Sequence, residues 1–172
     1  MTTAALAWPE AAAEALVDGG VAAAAYVPDS RLDRIVRRLS DRGTTVRTLT
    51  REEECVAYAA GRAYAGQACA VLLQCSGLGN ALNALGSLVM PSGLGVPLVV
   101  SMRGTLGETN PAQVPLGAAT PALLSAVGVQ SFAVRRPDEV APTVAGVVAM
   151  AGAGITAAVL LDAGLGGGRD RN

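Results

Sequence analysis

The stretch Ala68-Cys69-Ala70-Val71-Leu72-Leu73-Gln74-Cys75-Ser76-Gly77-Leu78-Gly79-Asn80 sets the architecture of this chain. An unbroken apolar run from Ala68 to Leu73 fits a strand buried on both faces, the habit of parallel sheets covered by helices. The glycine-containing turn Ser76 to Asn80 follows at once, and a helical pattern resumes behind it. Strand, glycine turn and helix form a unit that places a ligand at the carboxyl end of a strand.

The same alternation extends in both directions. Upstream, an Ala-rich helix over Pro9 to Val17 is closed by Gly19 and Gly20, and a short apolar strand follows over Val21 to Val27. Asp29 or Ser30 is placed to cap a second helix, in which Leu32, Ile35, Val36 and Leu39 recur at helical spacing while the arginines face outward; Gly43 ends it. Val46 to Leu49 reads as a strand. Thr50 with Glu53 three residues on has the form of a capping box that opens a helix reaching about Tyr64.

Downstream, Pro97 to Met102 is the next buried strand. Arg103 to Gly117 carries glycines and prolines without a clear period and reads as a functional loop. Helix Pro121 to Val127, strand Val129 to Val134, helix Asp138 to Met150 and strand Ile155 to Leu161 complete the series. Six strands alternating with helices predict an α/β fold, a three-layer sandwich around a mostly parallel six-stranded sheet, with ligands at the carboxyl ends of the strands. The 172 residues suit one domain. It is assigned to residues 1–163, followed by a flexible tail over 164–172.

Composition removes several function classes. A net charge of −1 without any basic run lacks the electrostatic footprint of nucleic-acid binding, so neither DNA nor RNA is expected. No apolar stretch approaches the ~20 residues of a membrane span. Met1 to Trp8 does not read as a signal peptide, which makes the cytoplasm the expected compartment. Cys55, Cys69 and Cys75 lack paired metal spacing and are expected to be reduced thiols. The chain has no histidine, so a relay or metal site that needs an imidazole cannot come from this polypeptide.

Two segments carry candidate chemistry. Arg51-Glu52-Glu53-Glu54-Cys55-Val56-Ala57-Tyr58-Ala59-Ala60-Gly61 puts a carboxylate at a strand-to-helix junction, nine residues before a helix glycine. It resembles the motif of the pyrimidine-binding domain of thiamine-diphosphate-dependent enzymes, with Glu52 at the matching acidic position. Gln74-Cys75-Ser76-Gly77-Leu78-Gly79-Asn80-Ala81-Leu82-Asn83 is similar to the strand-end glycine turn of that domain, especially in sulfopyruvate and phosphonopyruvate decarboxylases. Tyr26-Val27-Pro28-Asp29-Ser30, Arg103-Gly104-Thr105-Leu106-Gly107-Glu108 and Asn110-Pro111-Ala112-Gln113-Val114-Pro115-Leu116-Gly117 resemble sulfopyruvate decarboxylase alpha subunits in particular. Two departures stand out. Cys75 takes the place of an Asn found in many relatives, and Met102 that of a His found in some.

The resemblance implies the thiamine-diphosphate-binding fold in its pyrimidine-domain form, and a catalytic role for Glu52. There a carboxyl group hydrogen-bonded to N1′ of the aminopyrimidine stabilises the 4′-imino tautomer, which takes the thiazolium C2 proton. It further implies a cofactor contact at Ser76, Gly77, Leu78, Gly79 and Asn80, and substrate contacts at Asp29, Ser30, Arg103 and Gln113. Arg103 suits a sulfonate or phosphonate through paired hydrogen bonds, although a surface ion pair explains it equally well. For Glu53 and Glu54 the plainer reading is acids that favour a helix N-terminus.

In this family the diphosphate and its Mg²⁺ bind a domain marked by Gly-Asp-Gly, a motif this sequence lacks. The implied assembly therefore pairs this chain with a diphosphate-binding beta subunit that holds the Mg²⁺, self-associated as α2β2, or as a homodimer when alone. Its substrate would be a small 2-oxoacid, sulfopyruvate or phosphonopyruvate, decarboxylated to the aldehyde. Two other classes fit parts of the sequence. A noncatalytic or scaffold subunit of such a complex would keep the fold without the chemistry. A free-standing Rossmann-type nucleotide module would use the glycine turn differently, but no GxGxxG follows the first strand.

Overall fold

The computed structural model describes residues 6–166. Six strands form one sheet: β1 (Ala23–Tyr26), β2 (Thr45–Thr48), β3 (Cys69–Gln74), β4 (Pro97–Ser101), β5 (Gln130–Val134) and β6 (Ala157–Leu161). Their order is β2-β1-β3-β4-β6-β5, and every pairing is parallel. The expectation of a mostly parallel six-stranded sandwich is met. This order also differs from the 3-2-1-4-5-6 sequence of a Rossmann sheet, which sets that reading aside.

Side-chain alternation divides the sheet between two cores, because successive residues of a strand point to opposite faces. Ala70 and Leu72 of β3 join one core with α1 (Trp8–Asp18), α2 (Asp33–Asp41) and α6 (Pro137–Gly152). Cys69, Val71 and Leu73 join the other with α3 (Glu52–Tyr64), α4 (Leu78–Ala84) and α5 (Val114–Ala126). Small residues let the helices come close: Ala23, Ala24 and Ala25 of β1 are wholly buried. The chain leaves β1 toward one edge of the sheet and β3 toward the other. The crevice between their carboxyl ends is thus a topological switch point, where ligands of open α/β sheets bind.

Several local expectations are corrected. Neither Asp29 nor Ser30 caps α2; Leu32 stands at that position. Asp29 instead accepts from the Arg31 backbone N–H at 2.7 Å, an Asx turn ahead of the helix. Arg31 departs from the outward-facing set, donating to the carbonyls of Asp162 and Ala163 at 2.8 Å each. The capping box at α3 uses Glu54 rather than Glu53. Its carboxylate accepts from Thr50 N and Oγ1 and from Arg51 N, because the helix begins one residue later than Thr50 suggests.

The largest correction concerns Arg103 to Gly117. Helix α5 starts at Val114 and runs through Pro121, so only its first part is loop. Pro115 sits in the opening turn, where its missing N–H costs nothing. Near the C-terminus, Leu165 is 3% exposed and Trp8 Nε1 donates to the Gly166 carbonyl at 2.7 Å. Packing thus continues to Gly166, while residues 167–172 of the expected tail lie outside the described residues.

Candidate functional site

The carboxyl ends of β1, β3 and β4 converge with the start of α3 on one rim. Glu52 is the first residue of α3, half-buried, with its carboxyl group turned toward the turn after β3. Asn80 Nδ2 donates to Glu52 Oε2 at 3.1 Å. The contact with Gly77 is closer still, since a Cβ built there would lie 2.0 Å from Glu52 Oε1. Only glycine lets the carboxyl group rest against the turn. Among the described residues, that single hydrogen bond is the one the Glu52 carboxylate receives.

The neighbouring acids do different work. Glu53 pairs with Arg51 in an exposed ion pair, and Glu54 caps the helix. A hydrogen bond from its own backbone amide, with Arg51 beside it, holds Glu53 below the usual carboxylate range, and the Thr50 hydroxyl and amide, with the Arg51 amide, do the same for Glu54.

The turn after β3 is a short 3-10 segment, Cys75–Gly77, followed directly by α4. Ser76 accepts from Gln74 Nε2. Gly79 and Asn80 are exposed beside Glu52, whereas the Leu78 side chain is wholly buried in the core. The Leu78 side chain is therefore packed away from any ligand at this rim. Gln74 Nε2 also reaches Gln113 Oε1 at 3.1 Å, which brings the loop after β4 to the end of β3. Sequence reasoning misses Gln74 as a site residue; a polar side chain at the last position of a buried strand is the signal that marks it.

Cys75 is wholly buried and its Sγ accepts from Arg103 N at 3.2 Å. Burial pushes its thiol up, against the reactivity of a nucleophilic cysteine. Cys55 and Cys69 are buried too, their thiols pushed up to about 12 by desolvation. Arg103 gives Nε and Nη2 to Glu108 at 2.7 and 2.9 Å, so the fork that would meet a sulfonate is already engaged. Asp29 Oδ2 accepts from the buried Ser101 Oγ at 3.2 Å, tying the ends of β1 and β4 across β3. Ser30 is exposed at the same end. The structure thus gathers Glu52, Gly77 and Asn80 into one corner and Gln113, Ser76 and Arg103 along the adjoining wall.

The corner suits an aminopyrimidine. A half-buried carboxyl group with one hydrogen bond, resting on the buried Gly77 and next to the exposed Gly79, which carries no Cβ, can accept or share a proton with a flat heterocycle. Among the described residues no group of His, Cys, Asp or Glu could hold a metal ion, and no helix is long and apolar enough to cross a membrane.

Comparison with known proteins identifies the family. Residues 8–103 match the family described as thiamine pyrophosphate enzyme, N-terminal TPP binding domain. Sulfopyruvate decarboxylase subunit alpha of Methanococcus maripaludis is 37% identical over 131 residues, covering 76% of this chain and 78% of the relative. Its counterpart in Methanothermobacter thermautotrophicus is 39% identical over 132 residues, covering 76% and 79%. Phosphonopyruvate decarboxylase of Streptomyces hygroscopicus is 39% identical over 95 residues, 55% of this chain and 24% of that protein. Among solved structures, 2-oxoglutarate:ferredoxin oxidoreductase from Magnetococcus marinus superposes with a TM-score of 0.64 at 12% identity, over 91% of this chain and 29% of that one, a likeness of fold alone. The chain belongs to the thiamine pyrophosphate enzymes as an N-terminal, TPP-binding domain, and groups there with the alpha subunits of sulfopyruvate decarboxylases.

Proposed function

We propose that this chain is the alpha subunit of a thiamine-diphosphate-dependent 2-oxoacid decarboxylase that converts sulfopyruvate or phosphonopyruvate to the matching aldehyde and CO₂. The observation that carries the reading is the Glu52 corner, a carboxyl group resting on Gly77 and oriented by Asn80. When bound, thiamine diphosphate supplies the carbon nucleophile and the electron sink that decarboxylation needs. Glu52 would hold the hydrogen bond to the aminopyrimidine N1′, with Asn80 fixing its rotamer and Gly77 seating its carboxyl group, while Gly79 would leave room for the ring. Gln113 and Ser76 line the side from which a 2-oxoacid approaches, with the positive charge of Arg103 close by. Asp29 and Ser30 bound it at the end of β1.

The diphosphate and Mg²⁺ are assigned to a Gly-Asp-Gly partner subunit, in keeping with the missing motif here and with relatives named as subunit alpha. The assembly is a cytoplasmic heteromer, α2β2 by two-fold symmetry. The test is CO₂ release from sulfopyruvate, phosphonopyruvate and pyruvate by the co-expressed subunits with thiamine diphosphate and Mg²⁺, as wild type and Glu52→Gln. Turnover abolished by the substitution supports the reading. A verified complex inactive on all three overturns it in favour of a noncatalytic subunit.

A further inference from the structure

Glu108 lies on the loop between β4 and α5 and is absent from the contacts the family resemblance implies. Its side chain is 8% exposed, yet it lies outside every helix and strand. The reason is its set of donors: Arg103 Nε at 2.7 Å and Nη2 at 2.9 Å, Gly104 N at 3.3 Å and Asn110 N at 3.0 Å. One carboxylate thus holds both ends of the loop tip. Charge-assisted bonds of this kind are the strong ones, and a loop with no ladder of its own gains most from them.

The two limbs also meet backbone to backbone. A Cβ on Gly104 would lie 2.4 Å from the Gln113 carbonyl oxygen, and one on Gly117 would lie 2.1 Å from the Arg103 carbonyl oxygen. Below them, Cys75 Sγ anchors the Arg103 amide to the turn after β3. Asn110, its own amide fixed by Glu108, starts the turn that carries Gln113 by accepting from Ala112 N at 3.1 Å. Gln113 then receives Gln74 Nε2, which also reaches Ser76 beside Gly77. A continuous set of contacts therefore runs from Glu108 to the Glu52 corner.

We infer that Glu108 is a positioning residue: it closes the Arg103–Gln113 loop in advance of any ligand, so that Gln113 stands at Gln74 as the second wall of the pocket facing Glu52. The kinetic part of this inference rests on the decarboxylase reading. Glu108 touches neither cofactor nor substrate and acts through Arg103, Asn110 and Gln113. A loop preorganised in this way presents its amide without paying for ordering at each turnover.

The test uses the full chain with its Gly-Asp-Gly partner, as wild type, Glu108→Gln and Glu108→Asp, with two readouts. Hydrogen exchange followed by mass spectrometry on the 103–113 segment is expected to speed up about tenfold or more in Glu108→Gln, while α3 and α4 keep their protection. On the turnover side, KM for the 2-oxoacid is expected to rise and kcat/KM to fall about 10- to 100-fold, with thiamine diphosphate affinity unchanged. Glu108→Asp should recover part of both. Unchanged exchange in the loop overturns the inference whatever the activity, and so does faster exchange with wild-type kcat/KM. Absence of turnover in the wild type speaks against the decarboxylase reading instead, and loop exchange then decides the role of Glu108.

Discussion

Two carboxylates stand at the same rim and are built in opposite ways. Glu108 is saturated: two guanidinium N–H groups and two backbone amides converge on it, and Arg103 with the Asn110 amide holds it down at about 2, well below the usual carboxylate range. Glu52 receives one hydrogen bond from a neutral amide and otherwise lies against bare glycine backbone. A carboxylate whose partners are all internal is a structural fastener. One left with open acceptor capacity at a strand-end crevice is available to a ligand.

The difference is sharpened most by Glu52→Gln, which keeps size and shape. The assembled enzyme should lose about 10²- to 10⁴-fold in kcat, read as CO₂ release, with the thermal midpoint of the chain unchanged. The glycines separate the two regions next. At Gly77 an added methyl meets the far end of a side chain, which can swing away. Gly77→Ala should therefore fold with less than about 1 kcal/mol lost, yet displace Glu52 and lower kcat/KM about 10²-fold. At Gly117 the same methyl meets the Arg103 backbone, which cannot swing. Gly117→Ala should cost about 1–3 kcal/mol in urea unfolding. Equal stability losses at the two positions would erase the distinction between a pliant corner and a rigid loop.

Smaller effects test the neighbours. Glu54→Ala removes the cap at Thr50 and Arg51 and should destabilise the chain by about 1 kcal/mol while kcat stays within twofold. A large activity loss there would move the catalytic assignment off Glu52. The gentlest probe is acid. Because the folded-state value of Glu108 is depressed from 4.5 to about 2, its contribution is fully present above about 4.5 and is lost as pH falls toward 2. Exchange protection of the 103–113 segment should be flat from pH 8 to 5 and decline below that, reversibly.

Much of this was legible in order along the chain. Apolar runs such as Ala68–Leu73 could only be buried strands, and their alternation with helical periods implied the parallel sheet. Glu52 was legible because a motif of fixed spacing surrounds it. The capping register at Thr50 was off by one residue because the helix start depends on where β2 lets go, not on local composition. The loop after β4 is shorter than its composition suggests, since Pro115 and Pro121 look like breakers until the first is seen in an opening turn and the second inside the helix.

Sequence alone settles the fold class, because periodicity is a local property, and a resemblance to a known motif singles out the candidate acid. It does not settle which polar groups find one another across the rim. Glu52 and Asn80 are 28 residues apart, Gln74 and Gln113 are 39, and Asp29 and Ser101 are 72. Only the register of the strands brings such pairs within 3.1–3.2 Å. A carboxylate's role as ligand acceptor or loop fastener is set by how many donors the fold delivers to it. That count is a property of three-dimensional packing.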